Sequence, residues 1–309
     1  MLEFIQSLPS PIAQGMIWGI MAIGVYITFK ILDLADLTVD GSLGTGGAVL
    51  VVLTTQHNVN IYVALTVAFV AGCIAGLVTG ILHTKFGIPA ILSGILTQLA
   101  LYSINLGIMG GRANTTISWR NFDLIVSSKT DQLGFTILKC LIFIAVIIGA
   151  LYWFFGTELG HSIRATGCNQ NMARSNGINT DTRKIMGLVL SNGIVAVSGG
   201  LLSQFSGSAD INMGRGAIVI GLAAVIIGEV IFGKIFTNFA LRLLAVVVGG
   251  IVYYIVIAIV LKNGDNNKGN DSTTLAPVVV TDANGVPYTD ANGEPITVVP
   301  ETEVHEYTN

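Results

Sequence analysis

The sequence has very few charged side chains. Asp, Glu, Lys and Arg make up 11% of its 309 residues, whereas they make up about a quarter of a typical soluble domain. Hydrophobic residues account for 52%, and the mean hydropathy is +0.74. Apolar runs of about 18 residues or more recur along the chain, which is the length that a helix needs to cross a bilayer. The composition therefore excludes an ordinary soluble protein and predicts an all-α, polytopic membrane helix bundle.

Several kinds of chemistry also lack the residues that they need. The formal net charge of −3 leaves no basic face for a nucleic acid partner. No G-x-x-x-x-G-K-[ST] stretch is present to bind ATP. None of the four histidines stands at metal-ligand spacing with another ligand, and the three cysteines show neither a metal nor a disulfide pattern. We therefore expect a chain with no cofactor, no metal and no catalytic site of its own.

The apolar runs predict eight spans. They lie at about 12–32, 42–56, 60–82, 88–110, 135–155, 185–205, 217–235 and 238–261. The second run is short and opens with glycines, so it is either a plain crossing or a broken or re-entrant helix packed within the protein. The first run has no basic n-region and no small-residue cleavage site, and we expect it to remain in the mature protein.

One polar segment, "GHSIRATGCNQNMARSNGINTDTRK" at 160–184, interrupts the apolar pattern and contains four of the fifteen Lys and Arg residues. Placing it inside the cell puts eight basic residues in cytoplasmic loops and six outside, which favours this orientation. The eight are Lys30, Lys85, Arg164, Arg174, Arg183, Lys184, Lys234 and Arg242, and the six are Arg112, Arg120, Lys129, Arg215, Lys262 and Lys268. With eight spans, both termini then face outward.

Polar side chains inside the spans are the candidates for a transport path. Gln98 and Asn105 are seven residues apart and therefore on one helix face, and Asn192 lies in the sixth span. They either line a polar path or form hydrogen bonds between helices. Glu229 is the one clear ionisable residue within a span, and we interpret it as a span-end carboxylate near the cytoplasmic interface rather than a proton relay.

Small residues repeat every four positions in the third span, at Gly72, Gly76 and Gly80. Such a strip lets two helices approach closely, and we interpret it as packing within the chain rather than as a dimer interface.

In "DLADLTVDGS" the acidic residues precede a glycine-rich helix, for which Asp40 or Ser42 is the expected N-cap. A structural role is favoured over ion binding there.

The composition changes abruptly after Lys262. Residues 263–309 carry eight acids and one base and include the tandem repeat "TDANGVPY", "TDANGEPI" at 281–296. This composition is typical of a disordered tail, although the Asn-Gly pairs are also compatible with a short hairpin-like turn array. The sequence therefore predicts a transmembrane domain at 1–262, with a polar loop at 156–184, and an acidic low-complexity tail.

Two stretches resemble a known family. "GMIWGIMAIGVYITFKILDLADLTVDGSLGTGGAVLVVL" and "LGHSIRATGCNQNMARSNGINTDTRKIMGLVLSNGIVAVSGGLL" are similar to permease subunits of ABC importers in the branched-chain amino acid and ribose permease superfamily. The resemblance covers about 12–261. Within the superfamily, "LTVDGS" and "LYSINLGIMGG" look most like the branch linked to aromatic amino acid uptake.

The resemblance implies a multi-pass cell membrane permease that works by alternating access as a homodimer, with an ABC ATPase subunit inside and a solute-binding protein outside. It also implies that the polar loop couples the ATPase to the spans through Arg164, Gly167, Asn169, Ala173 and Gly177. From the residues alone, Gly167 and Gly177 suit turns on either side of a short helix, and a solvated loop that only fixes topology is the alternative. In the coupling interpretation, Ala173 faces the ATPase and Gly177 ends the helix with a positive φ.

The coupling interpretation also assigns a partner to Arg164, which is expected to pair with an acidic rim of the ATPase or with loop carbonyls.

Three other functions compete with the permease. A self-sufficient secondary transporter or channel would be expected to show a paired set of charges within the membrane. An integral membrane enzyme would need a set of catalytic residues. A purely structural membrane scaffold would need neither paired charges within the membrane nor catalytic residues.

Overall fold

The computed structural model describes residues 9–118, 122, 124–126, 133–233, 238–270, 278–279 and 297–298, with side chains described up to Leu261. The chain divides into two compact units, Met1–Val256 and Ile257–Asn309. Arg120, Lys129 and Lys234 of the charge count lie outside the described residues, as do the tail repeat at 281–296 and the side chains of Lys262 and Lys268.

The first unit is a helix bundle. Its first four helices are α1 (Pro9–Tyr26), which continues as a π-helical turn at Ile27–Ile31, α2 (Thr38–His57), α3 (Ile61–Thr84) and α4 (Ala90–Ile108). They are followed by α5 (Leu133–Phe155), α6 (Glu158–Cys168), α7 (Gln170–Ser175), α8 (Thr180–Ser206), α9 (Ala217–Phe232) and α10 (Phe239–Asn270). The predicted all-α polytopic bundle is therefore confirmed.

A helix lies at each of the eight predicted spans. Among the described residues, six helical stretches are long and apolar enough to cross a membrane: Pro9–Ile31, Ile61–Thr84, Ala90–Ile108, Leu133–Phe155, Thr180–Ser206 and Phe239–Leu261. The other two are α2, which is less apolar, and α9, which has only 16 residues. α10 continues as a helix to Asn270, past the domain boundary predicted at 262.

The glycine-rich second span is one continuous helix. α2 begins at Thr38, four residues before the predicted start, and runs unbroken for 20 residues. Most of its side chains are buried inside the protein. Gly46 lies against the backbone of Ala196 in α8, and Gly199 of α8 lies against the backbone of Leu43. The glycines therefore allow the backbones of α2 and α8 to approach closely, and they do not break the helix.

α8 also packs closely on α3. Gly72 lies against the backbone of Asn192, and Gly76 lies against the backbone of Leu188. Gly80 lies beside Ile185, whose Cα atom is 3.1 Å from the position that a Cβ on Gly80 would take. The prediction that this small-residue strip packs within the chain is confirmed. Because the glycines carry no side chain, the backbones of α3 and α8 approach each other closely.

Two short antiparallel strand pairs complete the structure. β1 (Asn114–Thr116) follows α4 and pairs with β2 (Ser208–Asp210), which follows α8, with Thr115 opposite Ala209. In the second unit, β3 (Val278–Val279) pairs with β4 (Thr297–Val298). In the sequence, these two strands stand on either side of the repeat at 281–296.

Candidate functional site

A polar cavity of about 280 Å³ lies between α2, α4 and the connection from β2 to α9. Its lining residues are Asp40, Gly41, Gln98, Leu99, Tyr102, Asn105, Ile211 and Arg215. Gln98 and Asn105 therefore share one cavity, as their common helix face suggests. Asn105 is 2% exposed, and its Oδ1 atom is buried without a hydrogen-bond partner among the described residues. Unpaired buried acceptors of this kind are uncommon in folded proteins.

The cavity carries one acidic and one basic side chain. The Asp40 carboxylate accepts hydrogen bonds from the backbone N–H groups of Gly216, at 3.0 Å, and Ile218, at 2.9 Å. Asp40 therefore caps α9, where a carboxylate also complements the helix dipole. The Arg215 guanidinium lies 5.9 Å from the centre of the Tyr102 ring.

The expected N-cap role of Asp40 or Ser42 in α2 is wrong, because the N-cap residue of α2 is Leu37. The helix begins earlier than the sequence suggested, which places Asp40 inside its first turn and directs the carboxylate toward α9. Sequence reasoning also missed Arg215 and Tyr102 as cavity residues. The only signal for Arg215 was a basic residue just before an apolar run, which topology counting assigned to a loop.

Asn192, the third residue proposed for the path, is not among the residues that line this cavity. It is fully buried, and its Nδ2 donates to Asp36 Oδ2 at 2.7 Å and to the Leu188 carbonyl at 3.0 Å. Its Oδ1 accepts from Ser42 Oγ at 2.7 Å. The Asp36 carboxylate also accepts from the Thr38 backbone N–H at 2.9 Å. Asn192 thus belongs to a buried network that ties α8 to the start of α2.

The polar segment folds into two helices. α6 is capped by Thr157, whose hydroxyl accepts from Gly160 N at 3.4 Å, and α7 is capped by Asn169, whose side chain accepts from Met172 N at 3.1 Å. Gly177 follows α7 with a φ of 78°, as expected for a residue that ends a short helix. Gly167 is not a turn residue, however. It lies within α6, where it packs against the carbonyl of Ile31.

The expectation that Ala173 faces a partner is wrong. Its side chain is 1% exposed and packs inside the chain. Met172, its neighbour in α7, is 59% exposed. A one-turn helix lying on the bundle directs its small residue inward because only a small side chain fits there. Arg174 forms an ion pair with Asp181, Nη2 to Oδ1 3.2 Å, at the start of α8.

Arg164 packs against aromatic rings of its own chain. Its Cζ atom lies 4.1 Å from the centre of the Phe239 ring and 5.2 Å from that of Phe155. Burial lowers the pKa of the Arg164 guanidinium from its ordinary value, and repulsion from Arg242 acts in the same direction. Within the described part of the chain, Arg164 thus makes cation–π contacts, and its expected pairing with an acidic rim of the ATPase or with loop carbonyls stays a prediction.

Glu229 has a partner that the sequence did not reveal. Lys30 Nζ lies 3.0 Å from Glu229 Oε2, with the two side chains 48% and 36% exposed. Lys30 is the next-to-last residue of the stretch Pro9–Ile31. The pair therefore stands at the end of a span, in agreement with the interpretation of Glu229 as a span-end carboxylate.

Comparison with known proteins gives a consistent result. The family model "Branched-chain amino acid transport system / permease component" matches residues 9–275. A tyrosine transport system permease protein of Clostridioides difficile (strain R20291) is 44% identical over 241 residues, 78% of this chain and 78% of that protein. The uncharacterized protein RP368 of Rickettsia prowazekii (strain Madrid E) is 31% identical over 226 residues, 73% of this chain and 78% of that protein.

A more distant relative is the ribose import permease protein RbsC of Escherichia coli (strain K12), which is 27% identical over 224 residues, 72% of this chain and 69% of that protein. The predicted resemblance to this superfamily is confirmed. With its apolar helices and a family match over most of its length, the chain belongs to the family of branched-chain amino acid transport permease components and is a multi-pass protein of the cell membrane.

Proposed function

We propose that this chain is the membrane-spanning subunit of an ATP-driven importer of an aromatic amino acid. In this proposal two copies form the permease, an ATPase subunit binds inside and a solute-binding protein binds outside. The observation that carries the proposal is the 44% identity to a tyrosine transport permease across 78% of both chains. ATP is hydrolysed by the partner, and this chain supplies the path.

The polar cavity supports an amino acid as substrate. A free amino acid at neutral pH carries an ammonium and a carboxylate on one carbon. A cationic side chain near an anionic side chain can therefore bind its carboxylate and its ammonium together. Arg215 and Asp40 line the same cavity and supply these charges. The unpaired Oδ1 of Asn105 offers a further acceptor for the ammonium, and the Tyr102 ring offers a stacking face for an aromatic side chain.

The same cavity supports a dimer. Two of its lining residues, Leu99 and Tyr102, are 63% and 41% exposed, so the single chain leaves one side of the cavity open. A second copy placed against this face of α4 would close the path between the protomers. Because the walls are then contributed by two chains, small movements of one protomer against the other would open the cavity to alternate sides.

Coupling to the ATPase is assigned to the exposed face of α7. Met172 projects from this face with 59% of its surface exposed, in a segment outside the predicted spans, and is the contact that we assign to the ATPase. The path from α7 into the bundle is short. Arg174 Nε donates to Thr180 Oγ1 at 2.8 Å, and Gly167 of α6 packs on Ile31 at the end of the first span. Movement of α7 would therefore be transmitted to α1 and α8.

Reconstituted transport tests this function. The chain is placed in proteoliposomes with its ATPase subunit and solute-binding protein, and uptake of labelled tyrosine is measured with and without ATP. The expected result is ATP-dependent tyrosine uptake that excess phenylalanine reduces and ribose does not. Tyrosine uptake by the chain alone, driven by an ion gradient, would instead establish the alternative of a self-sufficient secondary transporter. Uptake of ribose in place of tyrosine would overturn the substrate class.

A further inference from the structure

The buried amide of Asn105 stands at one end of the polar cavity between α2 and α4. Its Nδ2 atom lies 3.3 Å from the position that a Cβ on Gly44 of α2 would take, and the Ile211 carbonyl oxygen lies 3.7 Å from the same position. Asn105 is 2% exposed, and its Oδ1 has no hydrogen-bond partner among the described residues. A buried amide oxygen costs free energy while it is unpaired, so a ligand that donates to it is bound more tightly than one that cannot.

The two charges of the cavity stand at a different level. Gly41, the residue after Asp40, packs against α4 at Gln98, whose Cα is 3.1 Å from the position that a Cβ on Gly41 would take. The Asp40 carboxylate accepts from the backbone N–H of Gly216 at 3.0 Å. Arg215 directly precedes Gly216 in the chain and therefore stands close to Asp40. The acid and the base thus mark the end of the cavity near Gln98.

Tyr102 lies between these two levels. On α4 it stands three residues before Asn105, and its ring centre is 5.9 Å from Arg215 Cζ. Along α2, four residues take the chain from Asp40 to Gly44, a rise of about 6 Å. The cavity therefore presents a charged end, an aromatic ring and a buried amide in that order. A tyrosine molecule presents its two charges, its ring and its hydroxyl in the same order and over a similar length.

We infer that Asn105 recognises the phenolic hydroxyl of the transported amino acid and thereby selects tyrosine over phenylalanine. This selectivity rests on the proposed function, because it needs an aromatic amino acid in the cavity. Of the two groups that could donate to Asn105, the ammonium and the side-chain hydroxyl, the ammonium is already matched by Asp40 at the other end. A phenolic hydroxyl both donates and accepts, so it pairs with either polar atom of the amide, whereas an ammonium only donates.

Phenylalanine has the same charges and ring but no hydroxyl. When it occupies the cavity, the buried amide of Asn105 stays unpaired. A site that is built to bind a hydroxyl rejects the analogue that lacks it for this reason, whereas an apolar pocket distinguishes the two molecules only weakly.

Transport selectivity of the complete importer tests this assignment. Wild type and variants are reconstituted with the same ATPase subunit and solute-binding protein, and kcat/KM is measured for tyrosine and for phenylalanine. Because the binding protein is the same throughout, a change in the ratio of the two values comes from the permease. Asn105→Leu replaces the amide by an apolar group of similar size and is expected to lower the tyrosine-to-phenylalanine ratio about tenfold. Gln56→Leu, which removes an exposed amide outside the cavity lining, is the matched control and should keep the wild-type ratio.

Asn105→Ala removes the same amide with a side chain too small to collide with α2, and it serves as the second variant if the leucine variant folds poorly. It should lower the ratio as well. An unchanged ratio, or an equal fall of both substrates, would overturn the inference, and an equal fall would assign Asn105 to the ammonium. Both outcomes leave the proposed function in place as long as wild type takes up tyrosine with ATP. A wild type that fails to do so would overturn the proposed function, and the selectivity with it.

Discussion

The side-chain amide of Asn192 donates to the carboxylate of Asp36, Nδ2 to Oδ2 2.7 Å, across 156 residues of sequence. Both side chains are almost fully buried. The same amide group accepts from Ser42 Oγ at 2.7 Å, so one residue of α8 holds both the loop before α2 and the first turns of α2. A residue that the sequence suggested for the transport path is therefore placed to fix where a helix begins.

Replacing Asn192 is expected to lower stability. Asn192→Ala removes the donor to Asp36 Oδ2 and the acceptor of the Ser42 hydroxyl in the interior, which should cost about 2–4 kcal/mol. The measurement is the thermal unfolding midpoint in detergent, with Gln98→Ala as the control from the polar cavity. Asn192→Ala should unfold at a clearly lower temperature than Gln98→Ala. Wild-type stability with a raised KM for uptake would instead return Asn192 to the path.

Neutralising either charge of the polar cavity is expected to weaken transport. Arg215→Gln removes the cation proposed for the substrate carboxylate, and Asp40→Asn removes the anion proposed for the ammonium while it keeps an acceptor for α9. A lost charged hydrogen bond of about 1.5–3 kcal/mol corresponds to a roughly tenfold to hundredfold rise in KM for tyrosine. Arg112→Gln, an exposed cation outside the cavity lining, is the control. An unchanged KM in both cavity variants would remove this cavity from substrate recognition.

Substitutions at two neighbouring positions of α7 are expected to act differently. Ala173→Glu buries a charge at a site with 1% exposure, so the protein should be lost from the membrane fraction. Met172→Glu lies on the surface and should express normally, yet lose binding of the ATPase. Immunoblots of membranes and pull-down of the ATPase distinguish the two effects, and Met172→Leu should keep both properties. Full ATPase binding by Met172→Glu would show that the docking face lies elsewhere.

A matched pair of glycine substitutions tests the contact between α3 and α8. A Cβ at Gly76 would collide with the backbone of Leu188, whereas one at Gly149 in α5 would meet nothing within 4 Å. Gly76→Ala should therefore cost about 1–3 kcal/mol, and Gly149→Ala should be neutral or slightly stabilising because alanine favours the helix. The two variants are compared by unfolding in detergent. Equal midpoints would contradict the close approach of these helices.

Thiol labelling tests the predicted orientation. Of the three cysteines, Cys168 is exposed, Cys73 is partly buried and Cys140 is buried. If the polar segment faces the cytoplasm, a membrane-impermeant maleimide should label Cys168 in inside-out vesicles and not in intact cells. Cys168→Ser controls for labelling of the other two residues. Labelling of Cys168 on intact cells would reverse the orientation and place both termini inside.

The helices could be predicted because each span depends on the composition of one contiguous stretch of sequence. α5 and α8, for example, each contain a strongly apolar window of 18 residues, and charges are costly in hydrocarbon whatever lies beside a helix. The start of α2 was harder to predict. Its first residues are polar and glycine-rich, and they are helical because α8 covers them, which depends on a part of the chain 150 residues away.

The candidate site was predicted in part. The shared helix face of Gln98 and Asn105 follows from periodicity, and both residues line one cavity. The acid and base of that cavity come from a helix start and from a connection after the sixth predicted span, and no spacing rule relates such positions. The exposed and buried faces of α7 could not be assigned either, because a helix of six residues is too short for a hydrophobic pattern to show which side packs inward.

By itself, the sequence determined that this protein is a membrane helix bundle with a polar segment between apolar spans, and its motifs indicated the permease family. These properties depend on composition and on residues that are close together in the chain. The tertiary structure alone decided that Asp40 caps α9, that Asn192 holds Asp36, that Lys30 pairs with Glu229 and that Ala173 points inward. The physical reason is that a buried polar or small side chain takes its partner from whichever helix packs against it, and helix packing is a property of the whole bundle.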